Sequence, residues 1–376
     1  MKVFENKYVN IDASECAQVN EVLLSNQLSG MSPTIVQYER KLATYFNVQH
    51  ALAVTNGTTA IEIALRAAGV GNGDEVITTP LGPVMTPLPI VAVGATPVFV
   101  DCESAGSFNI SLTDLKNKIT SKTRAVISVP MWGYPNDMRE IKVLCAENNI
   151  ILIEDASHCH GAMVHNKFQG TIGDMGVFST QERKLIGTGE GGFILTDDAH
   201  LAARVQELRN FGKPVRQEFI DKGLADQYGH MFGLNYRLNA FAAGVGIAQI
   251  GKLEKKIQQR TKHAAYYNEC LPLHYLRELP FMSNGRPNYY AIVYKVAHPR
   301  YSASDLGAKL FTYGIVSDTY RFRYDVLYKM PLFKQYASVC SNAETLATSI
   351  ITLPTHEGLS GQDLQFIIET VNCILA

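Results

Sequence analysis

Seven short apolar segments between residues 50 and 197 constrain the fold of this 376-residue chain more than any other feature. Each has the length of a strand, and stretches with the period of an amphipathic helix alternate with them. This alternation predicts an α/β domain with a largely parallel sheet. The segments are HALAVT (50–55), EVITTP (75–80), TPVFVD (96–101), RAVISVP (124–130), NIILIED (149–155), MGVFST (175–180) and GGFILTD (191–197).

The pattern changes after residue 250. A charged helix, GKLEKKIQQRTKHAAYY, is followed by a strand-like segment, NYYAIVYKV, and by two helical segments, SASDLGAKLFTYG and LSGQDLQFIIETVNCIL. In the last of these, Ser360 and Asp363 have the spacing of a capping box. We therefore predict a large domain of residues 1–250 and a smaller α+β domain of residues 251–376, with about 30 N-terminal residues packed on the smaller domain.

The overall composition excludes some classes of partner. Lys and Arg total 34 against 35 for Asp and Glu, so the chain has no excess positive charge for nucleic acid or an anionic membrane. The first residues lack the pattern of a secretory signal, and no apolar run reaches the ~18 residues of a membrane helix. We therefore expect a cytoplasmic protein. Charged residues make up 18% of the chain, below the roughly 25% of typical soluble domains, which suggests surface buried between subunits.

Ligands of open α/β sheets bind beyond the carboxyl ends of the strands, and three of the predicted strand ends have unusual residues. After the first strand, Asn56, Gly57, Thr58 and Thr59 lead into a helix. Free backbone N–H groups and a hydroxyl at a helix N-terminus favour phosphate binding. An ordinary capped turn uses the same residue types, so both interpretations stay open.

The fifth apolar segment ends in Glu154 and Asp155, and His158 and His160 follow it. A carboxylate at a buried strand end needs a cation or a strong donor, and the protonated ring nitrogen of a pyridine cofactor would provide one. The alternatives are a structural carboxylate that caps the next helix, and a metal site of Asp155, His158 and His160. We expect no metal, because no further pair of ligands stands out.

The sixth segment contains Ser179, and Lys184 follows five residues later, ahead of the glycine-rich GTGEGG. A lysine in such a turn can form a Schiff base with a carbonyl cofactor if its pKa is lowered. The alternative is a solvated lysine beside Arg183. The glycines match neither the phosphate loop GxxxxGK[ST] nor the dinucleotide motif GxGxxG. Together the three strand ends suggest one ligand with a phosphate, a ring nitrogen and an aldehyde.

The spaced combination of IEDASHCHGA, FSTQERK, GTGEGG and GLNYR resembles the DegT-type sugar aminotransferases, which are pyridoxal-phosphate enzymes. The likeness extends over nearly the whole chain, from SGMSPTIVQYERKLATYF to LPTHEGLSGQDL. It implies the aspartate-aminotransferase fold (fold type I), with a mostly parallel mixed sheet in the large domain and a smaller C-terminal α+β domain. It also implies pyridoxal 5'-phosphate as cofactor, with pyridoxamine phosphate as the intermediate form.

The resemblance assigns roles to individual residues. Lys184 is implied to be the Schiff-base lysine and proton carrier, Asp155 the partner of the pyridinium nitrogen, and His158 a neighbour of the ring oxygen. Asn235 matches an asparagine that reaches the phosphate from the neighbouring subunit, so a homodimer with shared active sites is implied. The implied cofactor-binding residues are Gly57, Thr58, Asp155, His158, Ser179 and Asn235, and the expected substrate contacts are Arg237, Arg321, Arg323 and His356.

Several segments depart from the family pattern, among them VPMWGYPNDM and Leu327-Tyr328. TTPLGPVMTPLPIV has no aromatic residue where the family places a ring over the cofactor, so Pro83, Val84 or Met85 would cover it instead. An aliphatic cover forgoes roughly 0.5–1.5 kcal/mol of stacking. DTYRFRYDVLY carries Arg321 and Arg323 where the family more often has a TRPFF-like motif. These departures concern the amino acceptor more than the reaction.

The resemblance implies an aminotransferase that moves an amino group from glutamate or glutamine to a keto-sugar by a ping-pong mechanism. The acceptor would be a nucleotide-linked deoxysugar, or an aminoglycoside or cyclitol ketone, and neither nucleic acid nor a membrane is an expected partner. Three alternatives stay open. They are a sugar dehydratase, although such enzymes carry His at the position of Lys184, an epimerase or deaminating enzyme, and a non-catalytic regulatory homologue.

Overall fold

The computed structural model describes residues 2–225, 229–230 and 232–376. Each of the seven predicted segments forms a strand of one seven-stranded sheet. The strands are β1 (His50–Val54), β2 (Glu75–Thr78), β3 (Thr96–Phe99), β4 (Thr123–Ser128), β5 (Ile151–Asp155), β6 (Met163–Val164), β7 (Lys167–Phe168), β8 (Met175–Ser179), β9 (Gly192–Thr196), β10 (Leu276–Glu278), β11 (Gly285–Arg286), β12 (Ile292–Val296) and β13 (Ile350–Leu353).

The large sheet has the order β1-β9-β8-β5-β4-β2-β3. Strands β3, β2, β4, β5 and β8 pair in parallel, and β9 runs antiparallel to both β8 and β1. The predicted α/β class with a mostly parallel mixed sheet is thereby confirmed. Because β1, β5 and β8 point the same way, the three strand ends with unusual residues meet at one edge of the sheet.

Helices cover the sheet and connect its strands. Within the described residues, none combines the length and the apolar character needed to cross a membrane. Short 3-10 turns lie at Leu327–Lys329 and Lys334–Tyr336. The helices are α1 (Ala13–Ser25), α2 (Pro33–Phe46), α3 (Gly57–Ala67), α4 (Pro87–Ala92), α5 (Leu112–Lys118), α6 (Arg139–Glu147), α7 (Ala199–Leu208), α8 (Gln217–Asp221), α9 (Ala240–Cys270), α10 (Ala303–Thr312), α11 (Asp318–Arg321), α12 (Ser341–Ser349) and α13 (Gly361–Leu375).

Helix α9 begins at Ala240, well before the charged segment that marks it in the sequence, and Asn239 caps it by accepting a hydrogen bond from the backbone N–H of Ala242. Its first turns pack against α1 and α2. Small apolar residues fill these turns, so they lack the polar face by which an amphipathic helix is recognised in a sequence. The helix crosses the predicted boundary between residues 250 and 251, and the division into two domains stays a prediction.

A second sheet, of order β10-β12-β13, lies in the C-terminal part of the chain, and α10 and α12 pack on it. The N-terminal residues lie against this part: Phe4 forms a parallel bridge with Ile315, and Lys2 Nζ lies 2.6 Å from Asp363 Oδ1. The predicted capping box of Ser360 and Asp363 is present at the start of α13.

Candidate active site

The loop after β1 forms an open helix N-terminus. Asn56 caps α3 through its side chain, which accepts a hydrogen bond from the backbone N–H of Thr59 at 2.8 Å. Gly57 and Thr58 lie in the first turn, where backbone N–H groups have no partner within the helix. A Cβ atom on Gly57 would lie 2.7 Å from the Ser179 Cβ atom, so only glycine permits this approach of β8. The result is a cradle of free N–H groups beside two hydroxyls.

The end of β5 sends its two carboxylates to opposite sides of the sheet. Glu154 accepts hydrogen bonds from the backbone N–H groups of Gly170, Ile172 and Gly173, at 2.6–2.8 Å, and so has a structural role. Asp155 is buried and accepts the Thr86 hydroxyl at 2.6 Å through Oδ2. Of the two, Asp155 is therefore the one left available for a ligand.

Ser157 links Asp155 to the N-terminus of α3, the proposed phosphate cradle. Its backbone N–H donates to Asp155 Oδ1 at 3.3 Å, and its hydroxyl oxygen accepts a hydrogen bond from the backbone N–H of Ser179 at 3.1 Å. Ser179 in turn lies against Gly57. The three predicted strand ends thus form one continuous site, as the sequence suggested.

Lys184 lies in the turn after β8, where its backbone N–H donates to the Gln181 carbonyl at 2.8 Å. The side chain is partly buried, and Nζ lies 5.2 Å from the centre of the Tyr290 ring. Burial lowers the pKa of Lys184 to about 8, while the negative charges of Asp155 and Asp318 oppose that shift. At pH 7 about one tenth of this amine is therefore neutral and nucleophilic, a far larger fraction than at the usual pKa of 10.5.

The two histidines after β5 have different surroundings. The His158 ring stacks on Tyr290 with centroids 4.3 Å apart, and burial together with the charge of Lys184 lowers its pKa well below the usual range. His160 is fully buried beside Phe178 and Phe193, and neither ring nitrogen has a hydrogen-bond partner within the described part of the chain. No group of three potential metal ligands exists among the described residues.

The aliphatic segment proposed to cover the cofactor forms a turn beside Asp155. The backbone N–H of Thr86 donates to the Pro83 carbonyl at 3.0 Å, and the Thr86 side chain binds Asp155. Pro83 and Val84 are partly buried, whereas Met85 is 50% exposed. This anchoring holds the turn next to the carboxylate, and the covering role stays a prediction.

Asn235 and Arg237 do not join the cluster around Lys184 within this chain. Asn235 is exposed and forms an antiparallel bridge with Asn210. The Arg237 side chain donates to Asn210 Oδ1 and lies over the Phe211 ring, with the guanidinium carbon 4.9 Å from its centre. The role of Asn235 at the phosphate of a partner subunit stays a prediction.

Arg321 and Arg323 are exposed and line a surface cavity of about 1020 Å³. Arg321 also forms an ion pair with Glu5. His356 lies apart from both arginines: its ring stacks on Tyr8 with centroids 5.1 Å apart, and its Nδ1 accepts the backbone N–H of Gly358 at 3.2 Å. Burial lowers its pKa to about 4. The structure brings together the two arginines but not the histidine.

Four residues of the site were not identified from the sequence: Thr86, Ser157, Tyr290 and Asp318. Thr86 and Ser157 contact Asp155, and Tyr290 and Asp318 lie near Lys184. Tyr290 carried no signal, because its segment was interpreted only as a strand. Ser157 lies between Asp155 and His158, so its position in the motif was the one available signal.

The site fits pyridoxal phosphate. The N-terminus of α3 with Thr58 and Ser179 suits the phosphate, Asp155 suits a protonated ring nitrogen, and the partly neutral amine of Lys184 suits the aldehyde. Because Gly57 has no side chain, Ser179 can lie directly against the N-terminus of α3.

Comparison with known proteins agrees with this fit. The family model described as the DegT/DnrJ/EryC1/StrS aminotransferase family matches residues 9–372. The GDP-perosamine synthase of Caulobacter vibrioides is 31% identical over 97% of this chain and 96% of its own, and that of Escherichia coli O157:H7 is 32% identical over 96% of each. The aminotransferase TlmJ from Streptoalloteichus hindustanus has the same fold, with a TM-score of 0.88 at 27% identity over 99% of this chain and 98% of its own. The chain therefore belongs to the DegT/DnrJ/EryC1/StrS aminotransferase family and is a pyridoxal-phosphate enzyme of fold type I.

Proposed function

We propose that this enzyme transfers an amino group from glutamate or glutamine to the keto group of a nucleotide-linked sugar, by a ping-pong mechanism. The observation that carries the proposal is the juxtaposition of a partly neutral Lys184 with Asp155 and with the phosphate cradle of α3. The names of the two GDP-perosamine synthases support a sugar as the acceptor. An aminoglycoside or cyclitol ketone is the alternative acceptor. We place the reaction in the cytoplasm.

The residues of the chain divide the work of binding and proton transfer. The backbone N–H groups of Gly57 and Thr58, with the Ser179 hydroxyl, hold the phosphate. Asp155 keeps the ring nitrogen protonated, and Thr86 keeps that carboxylate in place. When bound, the cofactor supplies an electron sink for the carbon that carries the amino group. Lys184 Nζ attaches the cofactor and then moves the proton at that carbon.

His158 is proposed to approach the ring oxygen of the cofactor as a neutral imidazole. Its stacking on Tyr290 fixes the plane of its ring, and its low pKa keeps it uncharged at neutral pH. A neutral ring can donate one hydrogen bond without adding positive charge beside Lys184.

The active form is proposed to be a homodimer whose active sites are shared. Asn235 is exposed within one chain and would reach the phosphate of the partner. The neighbouring apolar side chains of Phe211, Phe232 and Leu234 are 46%, 56% and 43% exposed, respectively. An exposed apolar group of this kind favours a subunit interface.

Four residues are proposed to contact the substrates. Arg237 would bind the carboxylate of the amino donor through its planar fork, in competition with its contact to Asn210. Arg321 and Arg323 would bind a diphosphate, which the cavity that they line has room for. His356 would contact a hydroxyl, and its burial against Tyr8 makes it the weakest candidate of the four.

The proposal is tested by following the cofactor's absorbance during single half-reactions. Purified enzyme should show a visible band from lysine-bound cofactor, and glutamate or glutamine alone should convert that band to the pyridoxamine form. Lys184→Ala should abolish the visible band and lower kcat by at least ~100-fold. Lys255→Ala, at an exposed position of α9, is the matched control and should change neither.

Each alternative predicts a different result in this experiment. If no amino acid converts the bound cofactor but a keto-sugar is still altered, a dehydratase or an epimerase replaces the aminotransferase. If cofactor binds and no substrate of either class reacts, the regulatory function is favoured. A wild-type protein without any visible band in excess cofactor would contradict the role of Lys184.

A further inference from the structure

Asp318 and Asn6 form a buried polar pair beside the turn that carries Lys184. Asp318 is the first residue of α11, and its Oδ2 accepts a hydrogen bond from Asn6 Nδ2 at 3.2 Å. Both residues are 6% exposed. The backbone N–H of Asp318 donates to Thr352 Oγ1 at 2.8 Å, so β13 fixes the position of the carboxylate.

The N-terminal segment of residues 5–7 places this pair close to Lys184. Lys7 Nζ lies 2.7 Å from Glu182 Oε1, and Glu5 Oε2 lies 3.9 Å from Arg183 Nη2. Glu5 also pairs with Arg321 at the far end of α11. Residues 5–7 thus run between the Lys184 turn and α11, with Asn6 facing the first residue of that helix.

A second set of contacts places α11 beside the turn that carries Lys184. The guanidinium carbon of Arg183 lies 5.9 Å from the centre of the Phe322 ring, which follows α11 directly. Lys184 Nζ lies over Tyr290, and the charge of Asp318 acts on both of these groups. The carboxylate therefore lies near enough to Lys184 for its charge to act on the amine.

The oxygens of the pair receive few hydrogen bonds. Within the described residues, Asn6 Oδ1 is buried without a partner, and the one side-chain donor to Asp318 is Asn6. A buried carboxylate with a single donor is costly, and burial raises the pKa of Asp318 accordingly. Among the described residues, Asn6 Oδ1 therefore stays unsatisfied, and the carboxylate has room for a further donor that a ligand can bring. Sugar hydroxyls are such donors.

We infer that Asp318 and Asn6 bind hydroxyl groups of the keto-sugar acceptor and thereby select the sugars that the enzyme aminates. This inference rests on the proposed function. A ring hydroxyl that donates to Asp318 and a neighbouring one that donates to Asn6 Oδ1 would satisfy both oxygens. A sugar without these hydroxyls would leave the pair unsatisfied, and sites of this kind discriminate strongly against such analogues.

The test uses the holoenzyme with three product-like probes, the GDP-, dTDP- and UDP-linked 4-amino-4,6-dideoxyhexoses. Each probe, added to the pyridoxal form, drives the sugar half-reaction in reverse, and glutamate drives the donor half-reaction. The variants are Asp318→Asn and Asn6→Ala. Glu369→Gln, the same carboxylate-to-amide change on the exposed face of α13, is the control. Circular dichroism and Tm report whether each variant folds.

We expect Asp318→Asn to raise the KM for the preferred sugar probe by at least ~10-fold, the effect of losing a hydrogen bond to a charged group. Asn6→Ala should raise it in the same direction. The KM for glutamate and the Kd of the free nucleotide diphosphate should change less than about twofold. A changed pKa of Lys184 would alter both half-reactions alike. The ratio of the sugar KM to the glutamate KM therefore distinguishes lost sugar binding from an effect on Lys184.

Two outcomes overturn the inference, and they differ from failure of the proposed function. If the wild type converts a sugar probe but Asp318→Asn leaves its KM unchanged, the pair does not bind the sugar. If both half-reactions weaken equally, Asp318 acts through Lys184 and not on the acceptor. If the wild type converts none of the probes, the proposed function fails, and this inference fails with it.

Discussion

Thr86 donates its hydroxyl hydrogen to Oδ2 of Asp155 at 2.6 Å, across 69 residues of sequence. This contact satisfies one oxygen of a buried carboxylate, and it fixes the turn that begins at Pro83. Thr86 therefore orients the proposed ring partner of the cofactor and also holds the segment proposed to cover the ring.

Removing the Thr86 hydroxyl should weaken the enzyme without unfolding it. Thr86→Val keeps the shape of the side chain but removes a donor to a charged group, a contribution of about 1.5–3 kcal/mol. We expect kcat to fall roughly 10- to 100-fold and the visible band of the bound cofactor to shift. Steady-state kinetics and absorbance measure both. Thr86→Ser, which retains the hydroxyl, should stay close to wild type, and an equal loss in both variants would contradict the role of the hydrogen bond.

Gly57→Ala should weaken cofactor binding. The added Cβ would lie 2.7 Å from the Ser179 Cβ atom, so α3 and β8 must move apart at the proposed phosphate site. Overpacking of this kind costs roughly 1–3 kcal/mol, which predicts at least a ~5-fold higher Kd for pyridoxal phosphate in a fluorescence titration of the cofactor-free protein. Gly251→Ala adds a methyl group to α9 where no atom lies within 4 Å, so cofactor affinity should not change. If both variants bound pyridoxal phosphate with equal affinity, Gly57 would have no role in phosphate binding.

Capture of the cofactor by the cofactor-free protein should depend on pH through Lys184. Attack on the aldehyde needs the neutral amine, and burial lowers the pKa of Lys184 to about 8 from a usual value of 10.5. The capture rate, followed by stopped-flow absorbance, should therefore rise with a midpoint near pH 8. Asp155 opposes this shift, so Asp155→Asn should move the midpoint to lower pH. A wild-type midpoint near 10 would show a solvated amine.

The same group predicts how the stability of the cofactor-free protein changes with pH. Between pH 8 and 10.5 the unfolded chain keeps the proton on Lys184 while the folded chain has lost it. More protons bound to the unfolded state means that the free energy of unfolding rises with pH in this window. Denaturant titrations of the wild type and of Lys184→Met should differ in this slope, and parallel slopes would contradict the lowered pKa.

A shared active site predicts complementation between two inactive variants. Lys184→Ala lacks the amine, and Asn235→Ala lacks the residue proposed to cross to the partner. In a randomly mixed population half of the dimers are mixed, and each of these contains one intact site, so about one quarter of the wild-type sites should be restored. Activity after co-expression or after unfolding and refolding of the mixture measures this. Activity no higher than the sum of the separate variants would show that each chain completes its own site.

Much of this architecture was evident before the structure, and for a physical reason. Strands covered on both faces consist of continuous apolar runs, so all seven strands of the large sheet stood out as segments. Residues next to such runs are fixed in space by the sheet, which is why Gly57, Asp155 and Ser179 were found together. The helix caps Asn56 and Ser360 are local features as well, and they lie where their residue types indicated.

The start of α9 and the partners around Lys184 depended on tertiary structure instead. The first turns of α9 are buried by α1 and α2, so no polar face marks them in the sequence. Tyr290 and Asp318 come to Lys184 from more than 100 residues away, through packing that no local pattern records. The same packing gives Lys184 its lowered pKa, since burial is a property of the folded chain.

The sequence by itself determined the α/β class and the order of the strand ends, because both depend on short-range patterns, and it predicted the residues that a pyridoxal cofactor would contact. Only the tertiary structure decided which carboxylate stays available for a ligand. The sequence does not distinguish Glu154 from Asp155, because both are carboxylates at the end of the same strand. Side chains alternate along β5, so Glu154 accepts hydrogen bonds from three backbone N–H groups on one side, and Asp155 accepts the Thr86 hydroxyl on the other.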